Sequence, residues 1–103
     1  MTLDELIETL EAADPTTVVK HGFESPHSYR GYYNELAFEP ASNVTVGSML
    51  EAARDARGST YTGWKGGDFT MHGHTDCWLS FEGSAGGETL GRTLVALMLE
   101  ATA

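Results

Sequence analysis

With a single cysteine, Cys77, the chain has no internal disulfide to rely on, and only three prolines interrupt its 103 residues. A lone thiol fits a reducing compartment. No apolar run approaches the roughly 20 residues of a membrane span, and no basic-then-apolar leader opens the chain. The first nineteen residues carry five acids and no base. These features point to a cytoplasmic protein without a membrane partner. Positive charge is scarce: six Lys and Arg stand against fifteen Asp and Glu, for a net charge of −9. Non-specific nucleic-acid affinity comes almost entirely from neutralised phosphates, so direct nucleic-acid binding is not expected. Neither GxxxxGK[ST] nor GxSxG occurs, which leaves no P-loop and no nucleophile elbow.

What remains is a chain of single-domain size (residues 1–103), 41% hydrophobic, enough for one core with modest burial. Thr2-Leu3-Asp4-Glu5 reads as a capping box, and Leu3, Leu6, Ile7 and Leu10 follow at helical spacing. This predicts a surface helix over about 3–12, its acids forming a solvated face. Asp14-Pro15 predicts a second, short helix that ends at Gly22, with His21 at its C-terminal end. A strand is expected from about 28 to 38, open to a break at Gly31 and ended by Pro40. Thr45 is the expected cap of a further helix, with a stripe of Val46, Met49, Leu50, Ala53 and Ala56 stopped by Gly58. Residues 59–64 and 68–72 flank a glycine loop, a hairpin signal. Asp76 to Phe81 reads as a strand with Cys77, Leu79 and Phe81 toward the core. Ser84 to Gly87 reads as a loop. From Glu88 onward, Leu90, Leu94, Leu97, Met98 and Ala101 outline a last helix. The order predicts an α+β fold, a mainly antiparallel sheet of three to four strands covered by three main helices.

Three stretches could carry chemistry. Between Phe23 and Glu39 lie Tyr29, Tyr32, Tyr33, Arg30 and His27. A guanidinium among aromatic rings holds planar anions, through a bidentate fork and by stacking. An edge strand with half-buried tyrosines, and Arg30 paired to an acid, explains the same pattern. Gly63 to Phe69 combines glycines with Trp64 and Lys65, and could offer backbone N–H groups and a positive charge to an anion. A turn that needs positive φ explains those glycines equally well. His72, His74 and Asp76 would point to one side of an extended chain as three metal ligands. Gly73 and Thr75 favour a polar turn there instead, and no fourth ligand is evident. Cys77 reads as a packed apolar side chain. No catalytic residue and no cofactor is expected. Five of the six basic residues (Lys20, Arg30, Arg54, Arg57, Lys65) lie between positions 20 and 65, leaving room for a local positive patch.

The segments PHSYRGYYNELAFEP, NVTVGSMLEAA, GWKGGDFTM and TDCWLS together resemble a family of small acidic proteins from phages of actinobacteria, over roughly residues 18 to 99. The resemblance implies a phage accessory protein of the host cytoplasm, of the kind that blunts host defence. Such proteins either sequester a nucleotide immune signal or block a defence protein. The expectation is a non-enzymatic module that binds a small anionic, nucleotide-like ligand through His27, Tyr29, Arg30, Tyr32, Tyr33, Trp64 and Lys65. Because a deep pocket is hard to build in so small a domain, a homo-oligomer is expected. The rival is an acidic inhibitor whose helix 3–12 covers a basic surface of a host defence or nucleic-acid-binding protein.

Overall fold

The structure, a computed structural model, describes residues 1–81 and 86–103. It is an α+β fold of three helices, a four-stranded mixed and mostly antiparallel sheet, and a separate two-stranded sheet. No helix among the described residues is long and apolar enough to cross a membrane.

Helix α1 (Leu3–Glu11) opens on the expected capping box: the Glu5 amide donates to Thr2 Oγ1, and the Thr2 amide donates to Glu5 Oε1. Leu3, Leu6 and Leu10 are buried. The acids do not form a purely solvated face. Asp4 pairs with Arg57 at 2.8 Å, Glu5 with Arg92 at 2.7 Å and Glu11 with Arg54 at 2.6 Å. Exposed pairs of this kind orient more than they stabilise. They do, however, remove Arg54 and Arg57 from any positive patch.

The expected helix over 14–22 is a turn followed by a strand. Asp14 accepts from the Thr16 amide, and the Thr17 amide closes back onto the Asp14 carbonyl. The next residues, Thr16-Thr17-Val18-Val19, are all β-branched and stiff at χ1, which favours extended backbone. Strand β1 therefore runs Val18–Tyr29, with His21 and Gly22 inside it. Arg30-Gly31 forms a two-residue loop, and β2 (Tyr32–Thr45) returns antiparallel, Val18 opposite Thr45 and Tyr29 opposite Tyr32. So the stretch expected as one strand is the end of a long hairpin. Residues 30 and 32 do not share a buried face with Leu36 and Phe38: Tyr32 is exposed, whereas Leu36 and Phe38 are buried. Pro40 does not end the strand either. The second partner, β5 (Cys77–Ser80), pairs in parallel with Leu36–Phe38 only. Pro40 thus lies past the part of β2 that needs neighbours on both edges, where a missing N–H is tolerated.

Helix α2 (Val46–Ala56) is capped by Thr45 Oγ1, which accepts from the Ser48 amide, and it stops before Gly58 at φ +86°. Strands β3 (Thr60–Thr62) and β4 (Asp68–Thr70) make the expected hairpin. Phe81 is exposed rather than turned to the core. Of the expected loop at 84–87, Ser84 and Ala85 lie outside the described residues, and Gly87 begins β6 (Gly87–Thr89), which pairs antiparallel with β5. The last helix, α3, therefore starts at Arg92 rather than Glu88 and runs to Glu100. Its Val95 and Met98 are buried, but Leu97 is 56% exposed. The buried cluster draws on α1, β1, β2, α2, β5 and α3 and includes a Phe23–Phe38 ring contact at 4.5 Å.

Two predictions follow from this packing. Gly22 is buried where a Cβ would stand 2.5 Å from Val44 Cγ2 and 2.9 Å from Met49 Sδ. Gly22→Ala should cost about 1–3 kcal/mol by overpacking, read as a lower urea midpoint with unchanged slope. The Thr2 backbone N–H holds the Glu5 carboxyl below its ordinary value. A depressed carboxyl contributes stability above its unfolded value, near 4, and loses it as pH falls through the folded value. Glu5→Gln should accordingly be less stable than wild type at pH 7, with the gap narrowing as pH falls through the acid range in parallel denaturation curves.

Candidate functional site

The end of the β1–β2 hairpin meets the β3–β4 hairpin, and this junction gathers most of the singled-out residues. A bulge sets it up. β1 has one extra residue between Glu24 and His27, and Ser25 takes up a left-handed φ of +51°. Such an insertion re-aims the residues that follow. Beyond it the chain turns at Arg30-Gly31. A Cβ at Gly31 would collide with the Tyr29 ring at 2.7 Å, so this position admits only glycine while that ring lies over the turn. The Arg30 guanidinium then rests over the Trp64 ring, Cζ 3.9 Å from the centroid. This is cation–π distance. Trp64 keeps 65% of its surface exposed.

A cleft lies on each side of Arg30. The smaller, about 220 Å³, is lined by His27, Ser28, Arg30, Glu39, Thr62 and Trp64. Its carboxylate is held from two sides. His27 Nε2 lies 3.0 Å from Glu39 Oε1, and Ser80 Oγ donates to Glu39 Oε2 at 2.6 Å. The other ring nitrogen, His27 Nδ1, meets the Ser28 carbonyl at 2.8 Å. Both ring nitrogens thus face oxygen acceptors, and both donate when the ring is protonated. The wider cleft, about 450 Å³, is lined by Arg30, Gly31, Tyr32, Tyr33, Asn34 and Phe69. Tyr33 leans on Phe69 at 5.5 Å, and Tyr32 is 57% exposed.

His27, Arg30, Tyr32, Tyr33 and Trp64 are therefore brought together. Tyr29 is not among them. It is buried and stacked on Trp78 at 4.5 Å, below the site as packing. Lys65 is exposed and follows Trp64 in the loop, but it lines neither cleft. The glycine loop is also less open to an anion than expected. The Gly63 amide donates to the Gly67 carbonyl and the Gly66 amide to the Gly63 carbonyl, while Gly66 and Gly67 take positive φ. Two of its N–H groups are thus used in shaping the turn. Glu39 and Phe69 also line the clefts, and neither stands out in the sequence as a candidate. Glu39 reaches His27 only through the hairpin register, which depends on placing the turn at Arg30-Gly31.

His72, His74 and Asp76 do not form a ligand set. The segment turns instead of extending: the Thr75 amide donates to the His72 carbonyl, and the His74 amide to His72 Nδ1. No group of three His, Cys, Asp or Glu among the described residues is placed to hold a metal ion. The turn has a structural task, because the Gly73 and Thr75 carbonyls accept from the Asp4 and Leu3 amides at the start of α1. Those are N–H groups that a helix leaves without internal partners.

Burial pushes the Cys77 thiol up to about 12, which removes the thiolate that nucleophilic chemistry needs. A thiol-specific disulfide reagent should leave the native protein unmodified at pH 8 and label one thiol per chain in denaturant. Rapid labelling of the native protein would contradict this burial. In comparisons with family models, curated proteins and solved structures, nothing matches this chain.

Proposed function

We propose that the protein is a binding module for a small, planar, anionic ligand of nucleotide type, held at the junction of the two hairpins. The observation that carries this reading is the Arg30 guanidinium over Trp64 with a cleft on either side. Arg30 takes the anionic group, because its planar fork matches phosphate and carboxylate oxygens. The exposed parts of Trp64 and Tyr32 offer aromatic surface for stacking, worth roughly 1–3 kcal/mol per base. The Glu39 carboxylate, oriented by His27 and Ser80, is an acceptor for ring or exocyclic N–H groups. A donor-bearing heterocycle with an anionic tail uses all three features, whereas a bare phosphate uses only Arg30 and is repelled by Glu39.

The family resemblance supplies a setting, a phage accessory protein that withdraws a nucleotide signal from host defence. The rival, an acidic face that covers a basic protein surface, draws less support. Asp4, Glu5 and Glu11 of α1 already pair with the chain's own arginines.

Native mass spectrometry of gently purified protein reads the ligand class directly, as an added mass of a few hundred daltons per site. Calorimetric titration with nucleoside monophosphates, with inorganic phosphate as control, should show binding of the former alone. Arg30→Ala and Trp64→Ala should each weaken it at least tenfold while leaving the melting temperature nearly unchanged. Wild-type affinity in Arg30→Ala would sink the assignment.

A further inference from the structure

Helix α3 presents a second surface, remote in kind from the polar clefts. Its exposed side carries Arg92, Ala96 and Glu100 in one line at i, i+4 and i+8, with Thr93 and Leu97 beside them. Leu94 and Leu97 form a ridge with a hollow on each side. One hollow, about 520 Å³, lies toward Thr89 of β6, and the other, about 370 Å³, lies over Leu79 and Met98. The second hollow is walled almost wholly by carbon, so it offers little to a polar ligand. Leu97 is joined by the partly exposed Leu94 on the same strip and flanked by an apolar hollow, so the exposed carbon is contiguous, the kind of surface that marks interaction sites.

We infer that this face binds a second copy of the same chain, with the two α3 helices antiparallel about a two-fold axis near Ala96. The charge order along the helix selects that partner. Arg92 stands at one end of the line and Glu100 at the other, about 12 Å apart at helical rise. Antiparallel pairing about their midpoint sets Arg92 against the partner's Glu100, and repeats the contact by symmetry. A two-fold interface must be self-complementary in this way. The small Ala96 side chain at the axis lets the helices approach closely. Each Leu97 ridge then enters the hollow over Leu79 and Met98 of the other copy. Arg92 already holds Glu5, yet its side chain is 77% exposed, and a guanidinium has five N–H donors to share. An unrelated acidic or basic protein would match only one end of the line. A contact centred on one nine-residue helix is small, so the dimer belongs with weak, concentration-dependent interfaces, burying less than about 1,200 Å² in total.

Sedimentation velocity over a concentration series tests this in the intact protein. Wild type should pass from monomer toward dimer mass as concentration rises through the series, as weak interfaces of small area do. Leu97→Glu and Ala96→Arg, both at exposed positions that the monomer tolerates, should stay monomeric, with melting temperatures close to wild type at low concentration. Arg92→Glu and Glu100→Arg alone should each weaken dimerisation about tenfold or more by setting like charges together, and the double swap should restore it. Monomer mass for wild type throughout, dimers in Leu97→Glu, or a double swap no better than the single ones would each overturn the proposal. In the first case the ridge is left to a partner of another kind.

Discussion

A strand buried on both faces must find backbone partners along both edges, and residues 36–38 of β2 are such a stretch. Leu36, Ala37 and Phe38 are all fully buried. Their peptide groups pair with β1 on one side and with the short parallel strand β5 on the other. An unpaired amide there would carry a heavy desolvation cost. From this the rest follows. β1 has to be long enough to match β2, Phe23 has to meet Phe38, and Gly22 has to lack a side chain so that Val44 and Met49 can close over it. The hairpin's far end, which no longer needs a partner on its second edge, is left to meet β3 and β4.

That free end is where the residues of the candidate site collect. The interior holds the aromatic pair Tyr29–Trp78, with the Trp78 indole N–H donating to Glu35 at 2.8 Å. Above it, Arg30 and Trp64 come from segments more than thirty positions apart in the chain, and the guanidinium lies over the indole ring. Stacking Arg30 on an indole limits its rotamers before any ligand arrives, so less entropy remains to be lost on binding. The Glu39 carboxylate is likewise fixed by two donors rather than left to wander. The site is polar, shallow and preorganised rather than deep.

Local signals carried much of the architecture. The Thr2–Glu5 box, the Thr45 cap, the Gly58 stop and the 60–70 hairpin depend on contacts within a few residues, and each stands in the structure as the sequence implied. Elements set by distant partners were not legible. Asp14-Pro15 resembles a helix start, and only the β-branched run behind it, recruited by β2, makes the segment a strand. Gly87–Thr89 has weak strand character and becomes β6 because β5 has an open edge. For the site, the residue types of Arg30, Tyr32, Tyr33 and Trp64 were enough to single them out. Tyr29 looked the same in sequence, but the turn at Arg30-Gly31 placed it inside. Glu39 was invisible without the register that sets it against His27. The His72–Asp76 segment misled because alternation presumes extension, and the turn that caps α1 breaks it.

The pairing of Arg54, Arg57 and Arg92 with α1 has an outcome for traffic at the site. With three of six basic residues paired there and a net charge of −9, little positive charge is left elsewhere to offset the remaining acids. An anion approaching the proposed site is repelled until it nears Arg30, within about the 10 Å over which charges act at 0.1 M salt. Inorganic phosphate is held off by that barrier and has no aromatic surface contact to offset it. The proposed ligand, of similar charge, meets the same barrier and offsets it by stacking its ring on Trp64 and Tyr32. Under the proposed function, the acidity acts as a filter that favours an anion with a ring to stack over a bare one.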